Sequence, residues 1–252
     1  MFTAILAATA VAASASAPLS PPAGGVQPRE QAAYDAQIAK EARAAADLFS
    51  GSPCKDATVT VLRITPVKIA EKPDLIAWRE KVKVEGCGAA SVQNLNVGRV
   101  GGASPWKISH GLPGDSLAEI NLQETTLPDA IIQARDGLPN SCTTVKIGDL
   151  YVAALPGNVD LLQPGAPEPD QVAGHATLTL PEEILPDVDK LDLSAAWMEV
   201  WPLKPCDLDR IMGVVFVPTK DHARSAYLFI PIWQQVHDKG SDALPTPVAL
   251  DQ

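Results

Sequence analysis

Hydrophobic and polar residues alternate most clearly between Ile76 and Glu85. Ile76, Trp78, Glu80, Val82 and Val84 fall on one side of an extended chain, and Ala77, Arg79, Lys81, Lys83 and Glu85 fall on the other. The pattern predicts a strand with one apolar face and one wet face, and it puts Glu80 among the apolar residues. A second stretch behaves alike, with Trp197, Glu199, Trp201 and Leu203 sharing a face. Both stretches read Ala-Trp-x-Glu, and in both a cysteine follows the Trp by nine residues, at Cys87 and Cys206.

The likeness extends in both directions. Upstream, Ile38, Ala42, Ala45 and Phe49 are spaced as one face of a helix, and Leu127, Ile131, Ala134 and Leu138 have the same spacing. Each stripe ends shortly before a cysteine, Cys54 or Cys142. Gly51 and Gly137 stand where helix stops belong, and Pro128 suits a first helical turn. Downstream, each half reads as a strand, a turn and a second strand, with Ser-x-aromatic opening the last strand at Ser104 to Trp106 and Ser225 to Tyr227. The expected fold is α+β. It is an internal duplication of a helix followed by a mainly antiparallel four-stranded sheet.

The units predicted on this basis are 28–112 and 113–238. They differ in one place: Trp78 follows Cys54 by 24 residues, whereas Trp197 follows Cys142 by 55. The extra length forms an insertion near 157–194. Its front is rich in Pro and Gly, and His175 to Leu180 reads as a short edge strand. Residues 16–27 read as a flexible linker and 239–252 as a flexible tail.

The first formal side-chain charge is Arg29. Residues 1–15 form an uncharged apolar run ending in Ala13-Ser14-Ala15, which reads as a secretory signal peptide and is too short for a membrane span. A periplasmic or secreted location follows. In that compartment the four cysteines, Cys54, Cys87, Cys142 and Cys206, imply disulfides. Equivalent positions of a duplication should pair equivalently, which disfavours Cys54 with Cys206. Pairing within each unit, Cys54 with Cys87 and Cys142 with Cys206, is the expectation; Cys54 with Cys142 remains the alternative.

A net charge of -10 argues against nucleic-acid partners. There is no Cys-x-x-Cys, no His-x-x-x-His and no Gly-rich phosphate loop, so no metal and no cofactor is expected. Gly114-Asp115-Ser116-Leu117 resembles the nucleophile block of the GDSL esterases, over those four residues only. That family places the serine near the start of an α/β domain and draws its acid and base from a late Asp-x-x-His. Here Ser116 lies mid-chain, and none of His110, His175, His222 and His237 is preceded by Asp at that spacing. Ser116 is therefore read as a loop residue, or a cap, and no catalytic residue is assigned. Glu80 and Glu199 have two readings, a ligand-binding or acid/base pair or two structural buried carboxylates; the second is favoured because both copies keep them.

The Trp-x-Glu stretches leading to a cysteine (Cys87-Gly88 in the first), followed by the LPGDSLAEINLQ segment from Leu112, resemble secreted proteobacterial proteins of no assigned activity. The resemblance implies export and fold, and no substrate or catalytic residue. The expected function is an exported binding or interaction module for a protein or small-molecule ligand. The alternatives are an extracytoplasmic hydrolase using Ser116 and an envelope assembly factor.

Overall fold

The computed structural model describes residues 20–22, 25–51, 54–67, 74–100, 105–166, 175–180, 185–221, 224–232, 245–248 and 250. Residues 1–15, expected to be a signal peptide, lie outside the described residues. The chain is mixed α and β, with mainly antiparallel sheets.

Helix α1 (Gln31–Ser50) buries Tyr34, Ile38, Ala42 and Ala45 along one stripe, and Gly51 ends it in the left-handed conformation. The stripe lies on a four-stranded sheet ordered β1 (Thr58–Val67), β2 (Leu75–Gly86), β3 (Ala89–Val100) and β4 (Lys107–Gly111). Trp78, Glu80, Val82 and Val84 of β2 point inward, and Leu95 and Val97 of β3 complete the core with the helix. A two-residue turn joins β2 to β3, with Cys87 and Gly88 at φ 52° and 79°. That is the primed hairpin geometry which matches strand twist. Cys87 bonds Cys54 across a Cα–Cα distance of 5.9 Å.

The end of the segment expected as a linker is held in place. Arg99 is 4% exposed and forms a two-pronged ion pair with Glu30 at 2.8 and 3.0 Å. Arg99 and the Trp106 indole both donate to the Gly25 carbonyl. The guanidinium holds the Glu30 carboxyl down at about 2.

Helix α2 (Ile120–Ala134) packs on a second sheet, and its boundaries differ from the sequence expectation. Its buried positions are Gln123, Thr126, Ala130 and Ala134; of the expected stripe only Ala134 is fully buried, while Leu127, Ile131 and Leu138 are half-buried. Pro128 falls inside the helix instead of its first turn, on an exposed face where the carbonyl it leaves unpaired can reach water. The cause is an earlier helix start, set by contacts of the preceding loop described below.

The second sheet has five strands, not the expected four. Its order is β11 (Ser225–Pro231), β10 (Arg210–Pro218), β9 (Trp197–Pro205) and β5 (Val145–Ile147), while β6 (Tyr151–Ala154) also pairs with β9. The strand that would lie beside β9 is broken in two at Gly148-Asp149-Leu150. Cys142 bonds Cys206 at a Cα–Cα distance of 5.6 Å.

The two sheets are covered differently. Met198, Val200, Val215 and Val217 of the second sheet face away from α2, and they are buried by Val159, Leu191 and neighbours from the 157–194 insertion. Within it β7 (Val159–Leu162) and β8 (Ala176–Thr179) form a parallel pair. Strands β9 and β10 are thus buried on both faces, which explains their near-continuous apolar runs. Among the described residues, the corresponding face of the first sheet has no such apolar cover.

Candidate functional site

Glu199 is fully buried on β9 and accepts from five groups. The Trp197 and Trp201 indoles donate at 3.0 Å each, and the Leu117 and Ala118 amides at 2.9 and 3.1 Å. The Ser116 hydroxyl lies 2.9 Å from both carboxylate oxygens. The two oddities of the sequence therefore meet. Ser116 also accepts from the Ala118 amide at 3.0 Å, so it ties the loop to itself and to the sheet. Glu199 in this way fixes the backbone two residues ahead of α2 and sets where the helix begins.

Glu80 is equally buried but poorly served. Tyr34 and the Trp78 indole donate to Oε1, and Oε2 has no partner among the described residues. Burial pushes its carboxyl upward, only partly offset by the Tyr34 and Trp78 hydrogen bonds.

No histidine among the described residues bonds Ser116. His110 sits 3.2 Å from Glu41, His175 lies near Asp160, and His222 and His237 are outside the described residues. No described cluster of three or more His, Cys, Asp or Glu could hold a metal ion. No helix among the described residues is long and apolar enough to cross a membrane.

The rest of the GLPGDS segment is a seam between the sheets. The Gly114 amide donates to Val92 of β3 at 2.7 Å, and the Asp115 amide to Leu150 at 2.7 Å. Leu150 returns a bond to Pro113 at 3.0 Å. The Val92 amide donates to the Asp149 carboxylate at 2.9 Å. Burial, helped by the nearby Asp115 charge, pushes Asp149 up to about 6 despite that amide and Lys81. The break between β5 and β6 exists where this seam is made.

Crossing the first sheet, the seam roofs part of its outer face and leaves a groove of about 390 Å³. The floor is two cross-strand rows. Arg63, Lys81, Asn94 and Gly111 form one, and Thr65, Arg79 and Asn96 the next. Arg63 reaches this face because β1 carries a bulge between Val61 and Arg63; in unbroken alternation it would face the core with Val61. Asp115 pairs with Lys81, and Asn94 donates to the carbonyls of Leu112 and Gly114 at 2.7 and 2.9 Å, which holds the roof down. Ser116, Glu119 and Gln123 line the far side, with Leu250 from the tail. In the described part of the tail the Val248 amide donates to Val152 at 2.8 Å.

In the second sheet the positions of Lys81–Asn94 and Arg79–Asn96 relative to the Trp-x-Glu motif are taken by Val200–Gly213 and Met198–Val215, all buried. No protein family, curated protein or solved structure matches the chain.

Sequence alternation places Arg79 and Lys81 on a wet face, and nothing in that pattern marks it as a site. Arg63, Asn94 and Asn96 were not singled out. The one available signal was the run of amide and cationic residues at alternate positions of β2 and β3.

Proposed function

We propose that the protein is an exported binding module whose ligand site is the groove on the outer face of the first sheet. One observation carries the reading: of two sheets built around the same Trp-x-Glu strand, one has its outer face sealed by apolar residues, and the other keeps it polar, concave and open. Export by residues 1–15 and the duplication of units 28–112 and 113–238 belong to the same proposal. The insertion near 157–194 then closes one copy's face, leaving the other copy to bind. The hydrolase reading finds no histidine base at Ser116 among the described residues, and the Ser116 hydroxyl is committed to a carboxylate already holding four N–H donors.

The test is native mass spectrometry of the protein recovered from a bacterial periplasm, beside a Thr65→Trp variant that fills the groove. A small-molecule adduct on the parent, missing from the variant, is expected. An adduct that survives Thr65→Trp, or labelling of Ser116 by a fluorophosphonate, would overturn the reading.

A further inference from the structure

The outer face of the first sheet concentrates positive charge in a chain whose net charge is -10. Arg63 and Lys81 stand directly opposite one another on neighbouring strands, and Arg79 is in the next row. Like charges in that relation destabilise a sheet unless something negative joins them. Asp115 answers Lys81. Neither Arg63 nor Arg79 has a carboxylate partner among the described residues.

Arg79 is aimed by its neighbour. Its Nε donates to Asn96 Oδ1 at 3.3 Å, which also fixes which way the Asn96 amide faces. Asn96 Nδ2 is left buried with no acceptor among the described residues. A buried donor without an acceptor is costly, and native structures fill such positions. Gly111 stands beside it, opposite Asn94, and an added Cβ there would come within 3.6 Å of that nitrogen. The first turn of α2 forms the far side, presenting the positive end of its dipole. The facing carboxylates are Asp115, already paired, and Glu119, which is exposed.

Resting on the binding reading above, we propose that the ligand is a small soluble anion whose phosphate or carboxylate group is held by Arg63 and Arg79, with Asn96 Nδ2 as a further donor. Guanidinium forks match the paired oxygens of either group, and such charge-assisted bonds are the stronger kind. A groove of about 390 Å³ suits a small metabolite and not a polymer.

Isothermal titration at low ionic strength with citrate, inorganic phosphate, glycerol 3-phosphate and uncharged glycerol tests this. At least one anion is expected to bind one to one, glycerol is not, and added sodium chloride should weaken binding. Arg63→Gln and Arg79→Gln should each weaken it about tenfold or more. Lys204→Gln, outside the groove, should leave it unchanged. Circular dichroism of each variant shows whether it is folded. Equal affinity in parent and both arginine variants would overturn the proposal, as would binding to phosphatidylglycerol vesicles but to no soluble anion. An uncharged adduct lost in Thr65→Trp would sink the anion assignment and leave the binding module standing. Absence of both adduct and probe binding would sink both.

Discussion

The Ser116 hydroxyl lies 2.9 Å from each carboxylate oxygen of Glu199, 83 residues further along the chain. Removing the carboxylate takes the acceptor from five donors, of which the Ala118 amide and the Trp197 and Trp201 indoles are buried. Glu199→Ala is expected to lower stability by about 3 kcal/mol or more. Glu199→Gln should also destabilise, by about 1–3 kcal/mol, because its amide nitrogen must face a donor wherever it turns. Urea unfolding of both variants beside the parent measures this; a Glu199→Gln variant as stable as the parent would contradict the donor count.

Glu80 should respond in the opposite sense. Its folded-state carboxyl titrates above the usual carboxylate range, so its contribution to stability is complete below the unfolded value of about 4.3 and is lost as pH rises through the folded value. Glu80→Gln keeps an acceptor for Tyr34 and Trp78 and carries no charge. Its stability relative to the parent should therefore improve from pH 4 to pH 8. Chemical unfolding at pH 4, 6 and 8 gives the comparison, and a constant difference across that range would refute the assignment.

Asp149 shares that sign, with a window the structure places between the unfolded value and about 6. The parent should lose stability as pH rises through this interval, and Asp149→Asn should flatten the loss while keeping an acceptor for the Val92 amide. After discounting for partial exposure, the difference between pH 4 and pH 7 is expected to be about 1–2 kcal/mol. Thermal melts of both proteins across pH provide the measurement.

Gly114 has φ 87°, and an added Cβ would meet the Leu150 carbonyl oxygen at 2.2 Å and its nitrogen at 2.3 Å. Both objects are backbone and cannot step aside. Gly114→Ala is expected to cost about 3–5 kcal/mol, from the left-handed conformation and the clash together. A melting temperature within about two degrees of the parent's would mean the seam is not as tight as described.

Local patterns carried α1, the inward face of β2 and the placement of Glu80 and Glu199, because period and burial agree within one element. They failed where a distant contact decides. The start of α2 depends on Glu199, so its buried face runs through Gln123, Thr126 and Ala130 and meets the expected stripe fully only at Ala134. The break at Gly148-Asp149-Leu150 serves Val92, which lies on another sheet. Arg63 joins the groove through a bulge at Leu62 that no alternation rule signals. The partners of Ser116 were invisible for the same reason: its role is read from a strand in the other half.

The seam through Gly114, Asp149 and Leu150 also governs how the molecule can move. Phe49 packs against the cores of both sheets, and backbone bonds cross from β3 to the β5–β6 break. A clamshell receptor needs a hinge of few contacts between its lobes, and here that place is stitched shut. Unfolding should be a single cooperative event, and neither half should survive when expressed alone. On the proposed binding reading, ligand capture would use a cleft already formed before encounter, with entry rate set by electrostatic guidance and not by lobe closure.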